Sequence, residues 1–181
     1  IYRPGLVTGH SLTGASNTDD MLSNLTRACL LLGSVPDLDV MVDIVPVDYV
    51  SAAIVHLSGD PKNLGKVYHL GNPHPLHLSR MVDWLIGQGF QAQRVSFENW
   101  RMELFRQAAD MPVDGWQPYL PLIEEVEESQ IFMPKFDYSN TLAGLDGSDI
   151  HCPPVDLDLL AVYIAFFNRQ GFFDKPGTRI K

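Results

Sequence analysis

The residues best suited to chemistry lie near the start of the chain, in the stretch GHSLTG that surrounds Ser11. A serine in the pattern G-x-S-x-G sits on the sharp strand-to-helix turn of a serine hydrolase, where its hydroxyl attacks an acyl group. Gly9 occupies the first glycine position, but Thr13 occupies the second, and Gly14 follows one residue late. The spacing therefore disfavours a serine hydrolase and favours a polar loop that follows a strand.

The histidines raise the questions of a hydrolase base and of a metal site. A hydrolase also needs an acid and a later histidine, and nothing in the sequence singles out one of His69, His74, His77 and His151. His74 and His77 have the spacing of a chelating pair, but no second pair of ligands lies nearby. The two cysteines, Cys29 and Cys152, form neither a C-x-x-C motif nor a disulfide framework. We therefore predict no metal site.

Two carboxylates, Asp43 and Asp48, are a candidate pair for general acid–base catalysis. Asp48 directly precedes an apolar stretch with helical character, where an aspartate side chain accepts a hydrogen bond from the first backbone N–H groups. We therefore expect Asp48 to be a helix N-cap.

The elements that must position these residues begin with a strand. Residues 1–7 are apolar and β-rich, which predicts a buried strand, and a loop rich in Gly, Ser, Thr and Asn follows over residues 9–17. Helical spacing predicts a helix over residues 18–32, with Gly33 as its stop. Ser16 or Asn17 is its expected N-cap.

The next elements follow the order of strands and helices that is typical of the C-terminal end of a parallel sheet. IVPV is a short extended piece, a helix is predicted over residues 49–57, and VYHLGNP predicts a second strand over residues 67–73. Later residues favour helices and one brief strand, over 78–88, 95–97, 99–109, 120–132 and 156–169. We therefore predict two domains, an incomplete Rossmann-like part over residues 1–72 and a helical lobe over residues 73–181.

Composition and charge exclude several function classes. The chain has 181 residues, 45% of them hydrophobic and 19% charged, as in an ordinary globular protein. A net charge of −9 argues against nucleic-acid binding, which needs clustered Lys and Arg. No apolar run reaches the length of a membrane span and no signal peptide is evident, so we expect a cytoplasmic protein. Because it begins with Ile1 rather than Met, we expect a piece of a longer polypeptide.

A colinear set of segments resembles the terminal thioester reductase domains of nonribosomal peptide and polyketide synthases. The segments are IYRPGLVTGHSLTGASNTDDML, GSVPDL, DIVPVDYVSAAI, VYHLGNP, FDYSNTLAGL and CPPVDLDLLAVYIAFFNRQGFF. The same segments are similar to the reductase domain of fungal α-aminoadipate reductase, and the likeness covers essentially the whole chain.

The resemblance, which is to members of the extended short-chain dehydrogenase/reductase family, implies an α/β fold. This fold would comprise the C-terminal end of a Rossmann-like parallel sheet and a mostly helical substrate-binding lobe. It implies NADPH as cofactor and hydride transfer to an acyl or peptidyl thioester on the phosphopantetheine arm of a carrier protein. The product would be an aldehyde, which some members reduce to the alcohol.

Two family elements are missing from this sequence, the Gly-rich phosphate loop and the Tyr-x-x-x-Lys pair that protonates the developing alkoxide. The resemblance places both upstream of the RPG strand, on the Rossmann part of the same polypeptide, so we expect this chain alone to be inactive and not to bind NADPH.

The resemblance assigns roles to the residues that remain. Pro4, Gly5, Leu6 and Val7 would bind the nicotinamide end of the cofactor, since Gly lacks a side chain and Pro fixes φ. The residues expected to contact the pantetheine arm and the acyl group are Gly9, His10, Ser11 and Thr13. Ser11 would then be a contact residue and not a nucleophile.

The helical lobe would shape the acyl pocket and dock the carrier protein. Its large aromatic residues are Trp84, Trp100, Phe105, Trp116 and Tyr119. Carrier proteins are acidic around the pantetheine serine, so a docking face should be positive. Arg94, Arg101 and Arg106 are the residues we predict for that face.

Three other hypotheses remain open. A carboxylic acid or α-aminoadipate reductase would use the same chemistry on an acid that is adenylated and loaded within the same protein. A noncatalytic module would keep the fold only to hold a carrier protein. A serine hydrolase is disfavoured by the displaced Gly14.

Overall fold

The computed structural model describes residues 1–107, 119–131 and 134–173. These residues belong to two compact units, each built from three stretches of chain. Unit 1 consists of Ile1–Ser16, Met41–Leu76 and Met133–Phe166, and unit 2 consists of Asn17–Val40, His77–Phe132 and Phe167–Lys181. The boundary that we expect near residue 73 stays a prediction.

Short strands and helices alternate along the described residues. The strands are β1 (Tyr2–Pro4), β2 (Leu6–Thr8), β3 (Ser34–Pro36), β4 (Met41–Val42), β5 (Ile44–Pro46), β6 (Tyr68–Leu70), β7 (Leu76–His77) and β8 (Gln93–Val95). The helices are α1 (Met21–Leu32), α2 (Val47–Gly59), α3 (Leu78–Gly87), α4 (Phe97–Gln107), α5 (Leu120–Glu125), α6 (Ser139–Leu145) and α7 (Leu157–Arg169). Two 3₁₀ helices cover Pro61–Asn63 and Glu128–Gln130.

Two strand pairs of unit 1 are parallel. β1 pairs with β6, with Tyr2 opposite Tyr68, and β2 pairs with β5, with Leu6 opposite Ile44. In unit 2, β3 and β8 also pair in parallel. Parallel pairs joined through helices are typical of α/β proteins, so the predicted fold class is confirmed.

The prediction of one continuous buried strand over residues 1–7 was wrong. Gly5 separates β1 from β2, and its backbone N–H donates to the carbonyl of Leu70 at 3.1 Å. Leu6 is 36% exposed and Val7 is 38% exposed. Among the described residues each of these two strands has a single partner strand, so their other edge and their side chains stay accessible.

The core of unit 1 lies between α2 and the parallel strands. Ala53 and Leu57 on α2 are fully buried, as are Val45 on β5 and Leu70 on β6. Burial of one such branched side chain contributes about 1.5–3 kcal/mol. Because α2 begins directly after β5, this packing fixes the first turn of α2 at the carboxyl end of the strand.

Helix α7 is the element that the sequence predicted best. The helical spacing predicted residues 156–169, and the helix covers Leu157–Arg169. Its inward-facing residues Leu159, Leu160 and Tyr163 are buried, as an amphipathic pattern requires. Gly171 follows with a φ of 65°, which suits a helix stop.

Helix α1 ends as predicted but begins later. Gly33 adopts a φ of 68° and donates its N–H to the carbonyls of Cys29 and Leu30, which confirms the predicted stop. The N-cap is Asp20, whose carboxylate accepts from the N–H of Ser23 at 2.8 Å. The expectation of Ser16 or Asn17 was wrong because the first helical turn starts only at Met21.

Three other elements differ from the sequence-based expectations. The strand expected over 95–97 lies earlier, as β8 (Gln93–Val95), because Phe97 already begins α4. The helix expected to end at Ala109 is α4, and Ala109 lies outside the described residues. The helix expected over 120–132 is divided into α5 and the 3₁₀ helix Glu128–Gln130. Helix α6 was not predicted, since its seven residues are too short to show an apolar periodicity.

The core of unit 2 forms where α1, α4 and α5 meet. Its buried residues are Ala28, Phe97, Trp100, Leu104 and Ile123. Within the described ranges, no helix combines the length and the apolar character needed to cross a membrane.

Candidate functional site

The ends of the parallel strands in unit 1 bring together the residues that could take part in binding or catalysis. β2 ends at Thr8 and β5 ends at Pro46, and the two residues lie opposite each other. Ligands of parallel α/β sheets bind beyond the carboxyl ends of the strands. The loop after β2 and the start of α2 therefore form the first candidate site.

The loop from Gly9 to Ala15 is closed by its own backbone. The N–H of His10 donates to the carbonyl of Ala15 at 3.0 Å, and the N–H of Gly14 donates to the carbonyl of His10 at 2.8 Å. Gly14 has a φ of 72°, which an L side chain rarely adopts. The two bonds and the left-handed turn give the loop a compact, defined shape.

Asp48 anchors this loop through Ser11. One carboxylate oxygen accepts from the backbone N–H of Ser11 at 2.8 Å, and the other accepts from its hydroxyl at 2.6 Å. The predicted N-cap role of Asp48 was wrong, because Pro46 occupies the N-cap position and Asp48 lies within the first turn of α2. Its carboxylate therefore bonds a loop distant in sequence.

The electrostatics of Asp48 favour its charged form. Burial alone would raise the pKa of this carboxyl, but the hydrogen bonds from the Ser11 hydroxyl and amide outweigh burial. Its pKa is therefore below its ordinary value, with a smaller contribution from His10. The Asp48 carboxylate is an anionic acceptor that holds the loop at neutral pH.

Ser11 does not have the surroundings of a hydrolytic nucleophile. A nucleophilic serine needs a base such as histidine within hydrogen-bond reach, whereas the Ser11 hydroxyl donates to a carboxylate of lowered pKa. In the described residues its hydroxyl has no imidazole partner. This geometry supports the interpretation of Ser11 as a loop residue, as the displaced Gly14 predicted.

His10 presents a hydrogen-bond donor on the same loop. Its Nδ1 accepts from the backbone N–H of Leu12 at 3.2 Å, so the neutral ring carries its proton on Nε2. The Nδ1 atom is 3.8 Å from the Asp48 carboxylate, and the side chain is 40% exposed. His10 therefore combines an accessible position with a defined tautomer.

Tyr163 of α7 fixes the base of the loop. Its hydroxyl donates to the carbonyl of Gly9 at 3.0 Å and lies 2.9 Å from the hydroxyl of Thr8. Burial raises the pKa of Tyr163 to about 12, so it remains a neutral donor. The N–H of Val47 donates to the same Gly9 carbonyl at 3.3 Å.

A second network lies beside the strand ends, around the buried Asp43. This carboxylate accepts from the N–H of Asn72 at 2.8 Å and from the hydroxyl of Tyr138 at 3.1 Å. The Asn72 side chain donates to the carbonyls of Ile44 and Pro153, at 3.1 and 2.8 Å. Its own side-chain oxygen accepts from the N–H of His74 at 2.9 Å. Asp43 and Asp48 therefore serve separate networks.

The residues predicted to bind the nicotinamide form an accessible edge. Pro4, Leu6 and Val7 are exposed, and Gly5 is half-buried. A Cβ atom added at Gly5 would meet Gly71 and Asp43 at ordinary distances of 3.5 and 3.8 Å, so the described contacts do not require glycine there. The role of these four residues in binding the nicotinamide stays a prediction.

The predicted docking arginines all lie in unit 2, and each is already paired. Arg94 is 2.6 Å from Asp83, Arg101 is 2.6 Å from Glu98, and Arg106 is 2.6 Å from Glu103. Arg106 is the most accessible of the three, with 71% of its side chain exposed. Their role in docking stays a prediction, and the acidic partners reduce the positive charge of this surface.

The aromatic residues of the predicted lobe mostly serve packing. Trp100 is buried in the core of unit 2, with Phe105 and Tyr119 partly buried against that core. Trp84 is half-buried, and Trp116 lies outside the described residues. For the four of them that the structure describes, no contact identifies an acyl pocket.

The contacts of His74 and His77 do not indicate a pair of metal ligands. His77 caps α3 and lies 2.8 Å from Asp39, while His74 bonds through its backbone to Asn72. Across the described residues, no group of three or more His, Cys, Asp or Glu side chains could hold a metal ion.

Sequence reasoning missed Tyr163, Asn72 and Tyr138, which hold the two networks. The Gly-Asn-Pro turn at 71–73 gave a signal for Asn72, since asparagine before proline favours a turn. Tyr138 and Tyr163 bond to partners more than 90 residues away in the chain, and no local pattern indicates such contacts.

Comparisons with known proteins agree on one family. Residues 1–54 match the family model NAD_binding_4, described as "Male sterility protein". The nonribosomal peptide synthetase hkm10 of Aspergillus hancockii is 36% identical over 180 residues, which is 92% of this chain and 17% of hkm10. L-2-aminoadipate reductase of Saccharomyces cerevisiae is 30% identical over 190 residues, 97% of this chain and 13% of that enzyme.

A solved structure extends the likeness to the fold. The terminal R domain of the myxalamid PKS-NRPS biosynthetic pathway is 35% identical, with a TM-score of 0.88 over 97% of this chain and 45% of that one. This chain therefore spans less than half of that domain and under a fifth of the two curated relatives.

Proposed function

Because this chain belongs to the thioester reductase domains of nonribosomal peptide and polyketide synthases, we propose that it is the C-terminal, substrate-binding part of such a domain. The observation that carries the proposal is the match to the myxalamid R domain over 97% of the chain at 35% identity. The complete domain would release a carrier-bound acyl or peptidyl thioester as an aldehyde or an alcohol.

In the complete domain, the hydride for the thioester carbonyl would come from bound NADPH, and the pantetheine thiol would leave as the carbon–sulfur bond breaks. The accessible strand from Pro4 to Val7 would line the nicotinamide, with its ring against exposed apolar side chains. The protons and the phosphate-binding loop would come from the upstream Rossmann part, because this sequence contains neither Tyr-x-x-x-Lys nor a Gly-rich loop.

The loop from Gly9 to Thr13 would guide the pantetheine arm and the acyl group. Ser11 and its anchor Asp48 would keep the loop in one conformation, so that little ordering entropy is lost on binding. His10, whose side chain is 40% exposed and whose Nδ1 accepts from Leu12, would donate from Nε2 to a carbonyl of the arm. The reaction would take place in the cytoplasm, where NADPH and carrier proteins are found.

The carrier protein is the proposed partner, with Arg94, Arg101 and Arg106 as the docking residues. Arg106→Glu in the complete domain should slow reduction of a carrier-bound acyl group and leave a small free thioester unaffected. Lys62→Glu is the matched control, since Lys62 is exposed in unit 1, whereas the three arginines belong to unit 2. Equal losses for both substrates, or for both variants, would reject docking at this face.

The function itself is tested with the complete domain, a carrier-bound acyl thioester and NADPH, by following NADPH oxidation and the aldehyde. We expect Ser11→Ala to retain turnover, because Ser11 is proposed to hold the loop and contact the arm and not to attack the thioester. We expect this chain alone to show no saturable micromolar NADPH binding. Release of free acid without NADPH oxidation, abolished by Ser11→Ala, would establish a hydrolase. Carrier binding by a complete domain that never reduces the thioester would favour the noncatalytic module.

The likeness to yeast L-2-aminoadipate reductase supports a second candidate, the reductase part of an enzyme that adenylates and reduces a carboxylic acid. The two candidates share the reductase chemistry and differ in how the carrier is loaded. Turnover of a free acid with ATP by the complete polypeptide would favour the second.

A further inference from the structure

A serine, a histidine and an aspartate form a hydrogen-bonded chain at the start of α3. The hydroxyl of Ser79 lies 2.7 Å from Nδ1 of His77, and Nε2 of the same ring lies 2.8 Å from the Asp39 carboxylate. All three residues belong to unit 2, whereas the candidate site described above belongs to unit 1. A hydroxyl bonded to an imidazole that a third group orients is the arrangement that activates a nucleophilic serine.

The neighbours of His77 determine which ring nitrogen carries the proton. An ionised carboxylate such as that of Asp39 can only accept, so Nε2 is the donor in that bond. The backbone N–H of Ser79 donates to Nδ1 at 3.2 Å, so Nδ1 carries no proton. The Ser79 hydroxyl therefore donates to Nδ1 as well, and the imidazole is placed to accept its proton, as a general base does.

Helix capping accounts for only part of this arrangement. The cap is the bond from the Ser79 N–H to Nδ1 of His77, and it requires neither the hydroxyl bond nor the carboxylate. The tripeptide HLS occurs twice in the chain, at 56–58 and at 77–79. Within α2, the hydroxyl of Ser58 donates instead to the carbonyl of Val55 at 3.0 Å. The bond between serine and imidazole therefore depends on the fold and not on the tripeptide.

The first turn of α3 also provides a donor for an oxyanion. The first N–H groups of a helix have no acceptor within the helix. The N–H of Leu78 donates to the carbonyl of Val40 at 2.9 Å, and the N–H of Arg80 is the one that directly follows the serine. In serine hydrolases the N–H after the nucleophile contributes to the oxyanion hole. Because 34% of the His77 side chain is exposed, a small ester can approach the pair.

We propose that Ser79 is an acylation site, which takes the acyl group of a small activated ester with His77 as the base and Asp39 as its positioning residue. The Ser79 oxygen forms a bond to the ester carbonyl carbon, and its proton passes to Nδ1 of His77. The bond from that carbon to the leaving oxygen breaks, and the leaving alcohol or phenol takes the proton from His77. The acyl group stays on Ser79 until water hydrolyses the new ester. The site is independent of the proposed reductase function.

Acetylation of the full chain by p-nitrophenyl acetate, located by peptide mass spectrometry, tests the proposal. Ser58 in the same sample is the matched control, because it has the same HLS context and an exposed position, and its hydroxyl bonds a carbonyl. We expect Ser79 to be acetylated about 100-fold faster than Ser58, since a positioned general base contributes at least that factor. Similar rates at the two serines would overturn the proposal.

Three substitutions test the base and its orientation. His77→Gln removes the base and should slow acetylation of Ser79 about 100-fold. Asp39→Asn removes the charge of a fully exposed side chain and should slow it about threefold, whereas Asp39→Glu, which keeps the charge, should retain the rate. The Ser58 rate should not change in any variant.

An unchanged Ser79 rate in His77→Gln or in Asp39→Asn would overturn the proposal. Equal slowing at Ser79 and Ser58 would also overturn it, because a general change of the fold would then explain the loss. The two Asp39 variants alter an exposed side chain, so they test the proposal even where His77→Gln fails to fold.

Discussion

The carboxylates of Asp43 and Asp48 flank the same strand, β5, and each accepts one backbone N–H and one hydroxyl. Asp43 receives them from Asn72 and Tyr138 at 2.8 and 3.1 Å, and Asp48 receives both from Ser11 at 2.8 and 2.6 Å. The bonding patterns match, but the environments differ. Asp43 is 7% exposed, whereas the Asp48 side chain is 30% exposed.

The difference shows that burial and the segments it bonds determine whether a carboxylate stabilises the whole unit or only one loop. The Asp43 network joins the ends of two strands to α6, so its loss affects the fold of unit 1. The Asp48 network holds one loop at the candidate site, so its loss affects the shape of that loop. Water can replace a lost donor at Asp48 more readily than at Asp43.

The largest effect should come from breaking the buried network at Asn72. Asn72→Ala leaves the carbonyls of Ile44 and Pro153 and the N–H of His74 without their partner. We expect a loss of about 3 kcal/mol in the free energy of unfolding, measured by urea denaturation. Asn140→Ala, which removes one exposed bond to Val67, is the control and should cost under about 1 kcal/mol. Equal losses of unfolding free energy in both variants would show that the buried network around Asp43 stabilises the fold no more than one exposed hydrogen bond does.

The next effect concerns the loop that Asp48 holds. A Cβ atom at Gly14 would collide with the carbonyl oxygen of Val162 and lie 2.8 Å from the Cβ of Phe166. Gly14→Ala should therefore cost about 2 kcal/mol or more in unfolding free energy. Gly147→Ala has a similar φ of 75° and open space around it, so it measures the backbone cost alone, about 1 kcal/mol. The collision would be unimportant if the two variants unfolded at the same urea concentration.

Removing one hydroxyl from each carboxylate compares the two networks directly. Tyr138→Phe should cost about 1.5 kcal/mol, because Asp43 is buried and keeps only the amide of Asn72. Ser11→Ala should cost about 0.5 kcal/mol, because Asp48 keeps the Ser11 amide and gains water. Thermal unfolding of both variants beside the unaltered chain gives the order, and the reverse order would contradict the role assigned to burial.

The smallest effect should appear in the pH dependence of stability. The pKa of Asp48 is lower in the folded chain than in the unfolded one, so this carboxylate stabilises the fold above its unfolded pKa. That contribution is lost as pH falls from about 5 through the folded pKa, where the unfolded state binds the proton first. Asp48→Asn should therefore lose less stability than the unaltered chain on acidification, with Ser11→Ala in between. Parallel pH profiles for all three would exclude this linkage.

Local signals in the sequence predicted the local features of the fold. The apolar spacing on α7 and the glycine stop of α1 depend only on residues within a few turns, and both are confirmed. The family resemblance, which rests on several colinear segments, predicted the α/β class with parallel strands.

Long-range pairings explain what the sequence did not reveal. The N-cap rule treats Asp48 as part of its own helix, but its carboxylate bonds Ser11, 37 residues earlier in the chain. The pairing of β3 with β8 and the bonds of Tyr138 to Asp43 likewise depend on tertiary packing. Short polar elements such as α6 carry no periodicity from which such contacts follow.

The alternation of the two compact units along the chain has a consequence for biosynthesis. Unit 1 includes residues as late as Phe166, and unit 2 takes its last stretch from Phe167 onward. A ribosome releases the chain from its N-terminus, and a domain folds only when all its parts have emerged. In the two core clusters, the last buried residue is Ile123 in unit 2 and Leu145 in unit 1, so most of the chain must leave the exit tunnel before either core closes.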